Sequence, residues 1–300
     1  MGYRPNAYVH ALMTQVRLGK KICDQGTIAL LVDKRSKNEW FLAEAFGEYH
    51  QDIVRRAREL GYQVECFFLQ EPGMSAAKID AVLYARGIQG IIFAPPYHGN
   101  RALPIHWERY ACLGGARPWA SQDFDFVCSD HAFNVRLAFK ELRQLGYERI
   151  GMDLASAFVT GIRKEMRWVP GYLEAQHDLP AANRIPLFTF ETDWDDAFCW
   201  RAFEKWRSKW RPDVILAIDD KEWFEERGIR IPEDIGFATF DLRPGSSASG
   251  VNENFGMVGA VALEQVVAKI SRNEYGAPAW PKQTLIEGRW VAGTTTRKQG

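Results

Sequence analysis

The chain lacks any apolar run of the roughly 20 residues a helix needs to cross a bilayer, so no membrane span is expected. It lacks net charge as well: 38 Lys and Arg balance 38 Asp and Glu. A neutral body does not attract nucleic acid over its whole surface. Cysteine is scarce. Cys23, Cys66, Cys112, Cys128 and Cys199 are odd in number and widely spaced, which argues against a disulfide framework and for reduced thiols in the cytoplasm. The basic, apolar and small-residue succession of a signal peptide is not seen at the start. Catalytic signatures are missing too. There is no Gly-x-Gly-x-x-Gly, P-loop, Gly-x-Ser-x-Gly or His-Glu-x-x-His. The six His are dispersed, and no Cys/His cluster has zinc spacing. An enzyme is therefore not expected, and neither a cofactor nor a metal is called for.

What is present is uneven. Residues 1–21 carry Arg4, Arg17, Lys20 and Lys21 and no acid. A short basic segment ahead of a neutral body suits a phosphate-contacting arm, although a solvated terminus reads the same way. Val9, Leu12, Met13 and Val16 recur at helical spacing after Pro5 and Asn6, and Gly19 stops the pattern.

The period then switches. Short apolar runs at 27–32, 63–69 and 90–94 alternate with helical patterns at 41–60 and 75–85. Strand, helix, strand, helix, strand is the order of a doubly wound parallel sheet. The unit repeats with strands at 126–128, 148–152, 186–190, 214–218 and 235–240, and helices at 132–145, 162–176 and 197–210. Pro170 must kink the second of these helices or lie near its start. The stretch 243–250 (RPGSSASG) reads as a linker, followed by a helix at 256–271 and a strand near 284–287. Two α/β sheets in succession point to two lobes.

Several motifs carry a resemblance. Gly2-Tyr3-x-Pro5-Asn6 with Leu12, then LGYERIG (145–151), RIPEDIGFATFD (230–241) and VNENFGMVGAVALEQVV (251–267), in this order, resemble the lactose-repressor (LacI/GalR) family of transcription regulators. The resemblance implies an α/β fold: a two-lobed, periplasmic-binding-protein-like type I core, each lobe a doubly wound parallel sheet, behind a short N-terminal hinge-helix segment. It implies three domains: the end of a helix-turn-helix and a hinge helix at 1–21, a lobe of 26–128 plus 254–283, and a lobe of 129–252 plus 284–300. Ribose-binding-type periplasmic receptors share this core, so a solute-binding receptor is the alternative. The hinge-like segment favours a ligand-responsive DNA-binding regulator, with a helix-turn-helix expected upstream of Met1.

Site residues follow from the resemblance and from the rule that ligands bind beyond the carboxyl ends of parallel strands. Trp40, Phe41 and Trp194 match aromatic walls of the family's effector cleft, or else they pack as core. Asp219 and Asp241 end strands, where a carboxylate accepts paired sugar hydroxyls or shapes its own turn. Asp193, Asp195 and Asp196 beside Trp194 read as a helix cap and first-turn charges. The family's ligand-binding Arg falls here on Trp168. Either Arg167 takes that role in a shifted register, or an aromatic contact has replaced it. Glu253 matches a cleft-facing position. Arg4, Asn6 and Leu12 match the hinge, with Leu12 as a minor-groove wedge. The implied partners are a small effector, a sugar or sugar derivative, operator DNA and a second copy of the chain. The stretch 219–234 is shorter than the family's usual dimer-face helix, which weakens the dimer expectation.

Overall fold

The computed structural model describes residues 26–41, 44–95, 103–114, 124–155, 167–191, 195–218, 221–243 and 245–299. Two six-stranded sheets organise it. The first holds β1 (Gly26–Val32), β2 (Tyr62–Phe68), β3 (Gly90–Phe93), β4 (Ala111–Gly114) and β5 (Phe126–Ser129), joined by β11 (Gln283–Ile286). Its order is β2-β1-β3-β4-β5-β11, and every pairing is parallel. The second holds β6 (Ile150–Ala155), β7 (Phe188–Phe190), β8 (Val214–Ala217), β9 (Gly236–Thr239) and β10 (Ser249–Asn252), with β12 (Arg289–Val291) at its edge. Its order, β7-β6-β8-β9-β10-β12, repeats the first, except that β12 runs antiparallel.

Strand sequence and layering agree. Ile28 to Val32 are all buried, as a parallel strand covered on both faces requires. Ile28, Leu30 and Val32 face one core, while Ala29 and Leu31 face another. Val214 and Leu216 divide from Ile215 and Ala217 in the same way across the second sheet. The helices covering these faces are α1 (Lys37–Trp40), α2 (Glu44–Glu59), α3 (Ala76–Ala85), α4 (His131–Gln144), α5 (Trp168–His177), α6 (Asp196–Trp210), α7 (Lys221–Glu225) and α8 (Phe255–Ser271). Phe203 and Trp206, one turn apart on α6, are buried against the second sheet.

Several expectations shift. Pro170 is the third residue of α5, where a missing N–H costs nothing because the first-turn donors have no helical partner. The stretch 243–250 is not wholly linker, because Ser249 and Gly250 begin β10. A Cβ on Gly250 would lie 2.3 Å from the Thr239 carbonyl oxygen, so a residue that reads as loop is what admits this strand beside β9. Strand β11 pairs with β5 in the first sheet, so the last crossing follows Ile286 and not residue 283. Only five residues form α7, in keeping with the shortened 219–234 stretch.

One contact in the second unit is set by a hydrogen atom. A Cβ on Gly171 of α5 would stand 2.6 Å from the Ala132 carbonyl oxygen and 2.8 Å from the Ala132 Cα on α4. Both are backbone atoms and cannot rotate away. Gly171→Ala should therefore push the two helices apart at a cost of about 1–3 kcal/mol. An unchanged urea midpoint would show that they separate freely.

Candidate functional site: the inter-sheet crossings

The chain passes between the sheets three times: between β5 and α4, between β10 and α8, and between β11 and β12. Parallel strands place their carboxyl ends together, so the first two crossings leave from the ends where ligands bind in such sheets. At the first crossing Asp130 caps α4 by accepting from Phe133 N at 2.9 Å. At the second, Asn254 adopts a left-handed φ of 60° and its N–H donates to Asn252 Oδ1 at 2.7 Å.

Hydrogen bonds stitch the three together. Asp130 N donates to the Ile286 carbonyl at 2.8 Å, joining first to third. Ser129 Oγ donates to the Glu253 carbonyl at 3.1 Å, joining first to second. Asn134 Oδ1 accepts from Gly288 N at 2.8 Å, and its Nδ2 donates to Glu253 Oε1 at 3.5 Å. Trp168 Nε1 donates to the same Oε1 at 3.3 Å. His131 sits edge-on to Trp168 with ring centroids 5.1 Å apart, and Trp168 leans on Phe240 at 4.8 Å.

The electrostatics are those of a dry site. Burial, and then the neighbouring Asp241, push the Glu253 carboxyl well above the ordinary carboxylate range. Burial, and then Arg167, pull the His131 imidazole down to about 3. Burial raises the Cys128 thiol to about 12, with Glu253 and Asp130 adding to it. In both groups burial favours the uncharged form, the acid at Glu253 and the imidazole at His131.

The first lobe contributes an aromatic group after β1. Trp40 and Phe41 stack at 5.2 Å, Phe46 stacks on Trp40 at 6.2 Å, and His50 meets both Trp40 and Phe41 edge-on. The indole N–H of Trp40 donates to the Pro95 carbonyl at 2.9 Å. Trp40 is 1% exposed. Neighbouring rings cover it and Pro95 takes its N–H, so of its two readings the structure describes the core one. Phe41 keeps part of its surface, with Lys37 Nζ 5.2 Å from its ring centre.

The second lobe contributes Arg167 and Asp241. Arg167 precedes α5 in a left-handed conformation (φ 50°) and is exposed. Trp168, at the position where the resemblance implies an Arg, is buried, with its N–H turned to Glu253. Asp241 follows β9, is half-buried, and its backbone N–H donates to Thr239 Oγ1 at 3.1 Å. Asp195 caps α6 by accepting from Phe198 N at 2.8 Å. Asp196 in the first turn pairs with Arg227 and accepts from Trp223 Nε1 at 2.7 Å, so Asp195 caps the helix and Asp196 ties its first turn to α7 and the residues after it.

The structure therefore brings Glu253 together with Ser129, His131, Asn134 and Trp168, and places Asp241 and Arg167 beside that group. Trp194, Asp219, Arg4, Asn6 and Leu12 lie outside the described residues. The sequence offered no signal for Asn134, whose role appears only when Gly288 is folded against it. His131 had a weak one, following Ser129-Asp130 at a strand end. Among the described residues, no group of three or more His, Cys, Asp or Glu is placed to hold a metal ion. No helix among them is long and apolar enough to cross a membrane.

No protein-family model matches the chain. The HTH-type transcriptional regulator DegA of Bacillus subtilis is 25% identical over 257 residues, 80% of this chain and 69% of that protein. Among solved structures, the transcriptional regulator CelR–cellobiose complex superposes with a TM-score of 0.66 at 16% identity, over 98% of this chain and 92% of that one. The lac repressor dimer bound to operator and the anti-inducer ONPF gives 0.64 at 17% identity, over 99% and 100%. A periplasmic binding protein/LacI transcriptional regulator from Alkaliphilus metalliredigens, complexed with D-xylulofuranose, gives 0.61 at 16% identity, over 90% and 98%. The chain thus has the two-lobed fold of lactose-repressor-type regulators, and the likeness to that family which its motifs carry extends to a curated transcriptional regulator.

Proposed function

We propose that this protein is a ligand-responsive, DNA-binding transcriptional regulator, acting as a repressor, that senses a sugar or sugar derivative between its lobes. The observation that carries the reading is the convergence of all three crossings on one hydrogen-bonded group. Two lobes joined at a single point can rotate about it, and a ligand held between them biases that rotation. The kinship with DegA supports a regulator, and the cellobiose and xylulofuranose complexes of similar folds support a sugar.

In this reading the lobes divide at the three crossings, and Phe41, Arg167, Trp194, Asp219 and Asp241 line the effector site. The aromatic faces stack on the sugar ring and the carboxylates accept its hydroxyls. Trp40 backs Phe41 from the core, and Glu253 lies beneath as part of the floor. Arg4, Asn6 and Leu12 contact operator DNA as a hinge, in a cytoplasmic homodimer. The protein needs no cofactor and performs no catalysis.

The test is a melting-temperature screen of the intact chain against mono- and disaccharides, with purine nucleosides and amino acids as controls. A ligand at 100 times its Kd stabilises by about 2.7 kcal/mol. A rise with sugars alone supports the reading, and a rise with purines or amino acids alone overturns the sugar assignment.

A further inference from the structure

Glu253 directly follows β10, on the second lobe's side of the site, and half of its carboxyl is unused. Oε1 accepts from Trp168 and Asn134 at 3.3 and 3.5 Å, both long for such bonds. Oε2 is buried with no hydrogen-bond partner. It lies 3.8 Å from His131 Nε2, beyond hydrogen-bond reach, and the Glu253 and His131 side chains are 1% and 8% exposed. The donors packed nearby are committed elsewhere: the Trp168 indole and the Asn134 amide to Oε1, and the Ser129 hydroxyl to the Glu253 carbonyl. A buried acceptor without a donor costs free energy that a bound donor recovers.

Charge sharpens the requirement. Asp241 lies close enough to Glu253 for the two acids to repel. Arg167 acts on His131 and Cys128, and Asp130 acts on Cys128. Glu287 and Arg289 flank Gly288 at the third crossing and are exposed. Among the described residues, no lysine or arginine forms an ion pair with Glu253. Its side-chain donors, Trp168 and Asn134, carry no charge. A sugar hydroxyl would fill Oε2 and leave the two acids unanswered. A protonated amine supplies the donor and the countercharge together.

We propose that the effector is an amino sugar whose protonated amine donates to Glu253 Oε2, while Asp241 accepts ring hydroxyls beside it. The inference rests on the effector reading above and narrows its substrate class. Asp241 is half-buried and Arg167 is exposed, so a ligand meets these two first, with Glu253 behind them.

Binding should be linked to a proton. Burial, and then Asp241, hold the Glu253 carboxyl well above the ordinary range. An ammonium group at Oε2 favours the ionised form and lowers that value. Complex formation below the raised value therefore releases a proton, and affinity should rise with pH until the amine itself loses its charge.

The experiment measures Kd by calorimetry on the intact chain for glucosamine, galactosamine and mannosamine. Each is paired with its N-acetyl form, which keeps an N–H without the charge, and with the parent hydroxyl sugar. At least one amino sugar should bind about tenfold or more tighter than both counterparts. Glu253→Gln, close in shape and uncharged, should bring that preference to within about threefold. Titrations in two buffers of different ionisation enthalpy should show proton release by the wild type and none by the variant. Should Glu253→Gln not fold, the wild-type preference and its proton release decide the matter. A neutral sugar bound as tightly as its amino counterpart overturns the proposal and leaves the sugar reading standing. A preference that Glu253→Gln retains overturns it too, as does a panel in which no amino sugar binds. Purines or amino acids as the only binders overturn both this proposal and the sugar reading.

Discussion

Asp241→Ala should abolish the sugar-dependent rise in melting temperature, measured against the variant's own ligand-free value. Asp241 stands just beyond β9, half-buried, where its carboxylate can accept two hydroxyls of one sugar ring. Each charge-assisted bond contributes about 1.5–3 kcal/mol, so losing the pair should raise Kd by about 100-fold or more. A sugar concentration that stabilises the wild type by about 2.7 kcal/mol would then stabilise the variant by well under 1 kcal/mol. A shift of wild-type size in Asp241→Ala would take this residue out of the site.

Lys269→Ala should cost about 3–5 kcal/mol, the largest stability loss expected here. Lys269 of α8 meets Asp125, just ahead of β5, with Nζ and Oδ2 2.6 Å apart. The side chains are 5% and 8% exposed, so solvent does not screen the pair. Asp125 Oδ1 also accepts from Lys282 N at 2.8 Å, which fastens the segment leading into β11. Removing the lysine strands a buried carboxylate. Asp125→Asn combined with Lys269→Met should recover most of the loss, because the amide oxygen still accepts from Lys282 and no lone charge remains. Urea unfolding of the singles and the double measures both. A single-variant loss below about 1 kcal/mol would put this pair with exposed ones.

Much of the fold was legible because periodicity survives burial. The runs 27–32 and 214–218 are continuous and apolar, and they became central strands. Strands β4, β10 and β12 were missed. Ala111–Gly114 is four residues long and ends in Gly, while β10 begins with a Ser and a Gly inside a stretch of turn-forming composition. Such residues are strand only because a neighbouring strand supplies the ladder. The placement of β11 was missed for a related reason: a short edge segment carries no mark of which sheet will pair with it.

The candidate site divides along the same line. Hydrophobic periodicity pointed to two α/β lobes, and the motif resemblance pointed to a regulator with acids and aromatics after strand ends, because those signals are local in the chain. Tertiary structure alone decided that Trp40 is core and that Glu253 meets Ser129, His131, Asn134 and Trp168. Ser129 and Glu253 are 124 positions apart, and Asn134 and Gly288 are 154. A buried carboxyl takes its protonation state from whatever packs around it, and here that packing comes from three passes of the chain that only folding brings together.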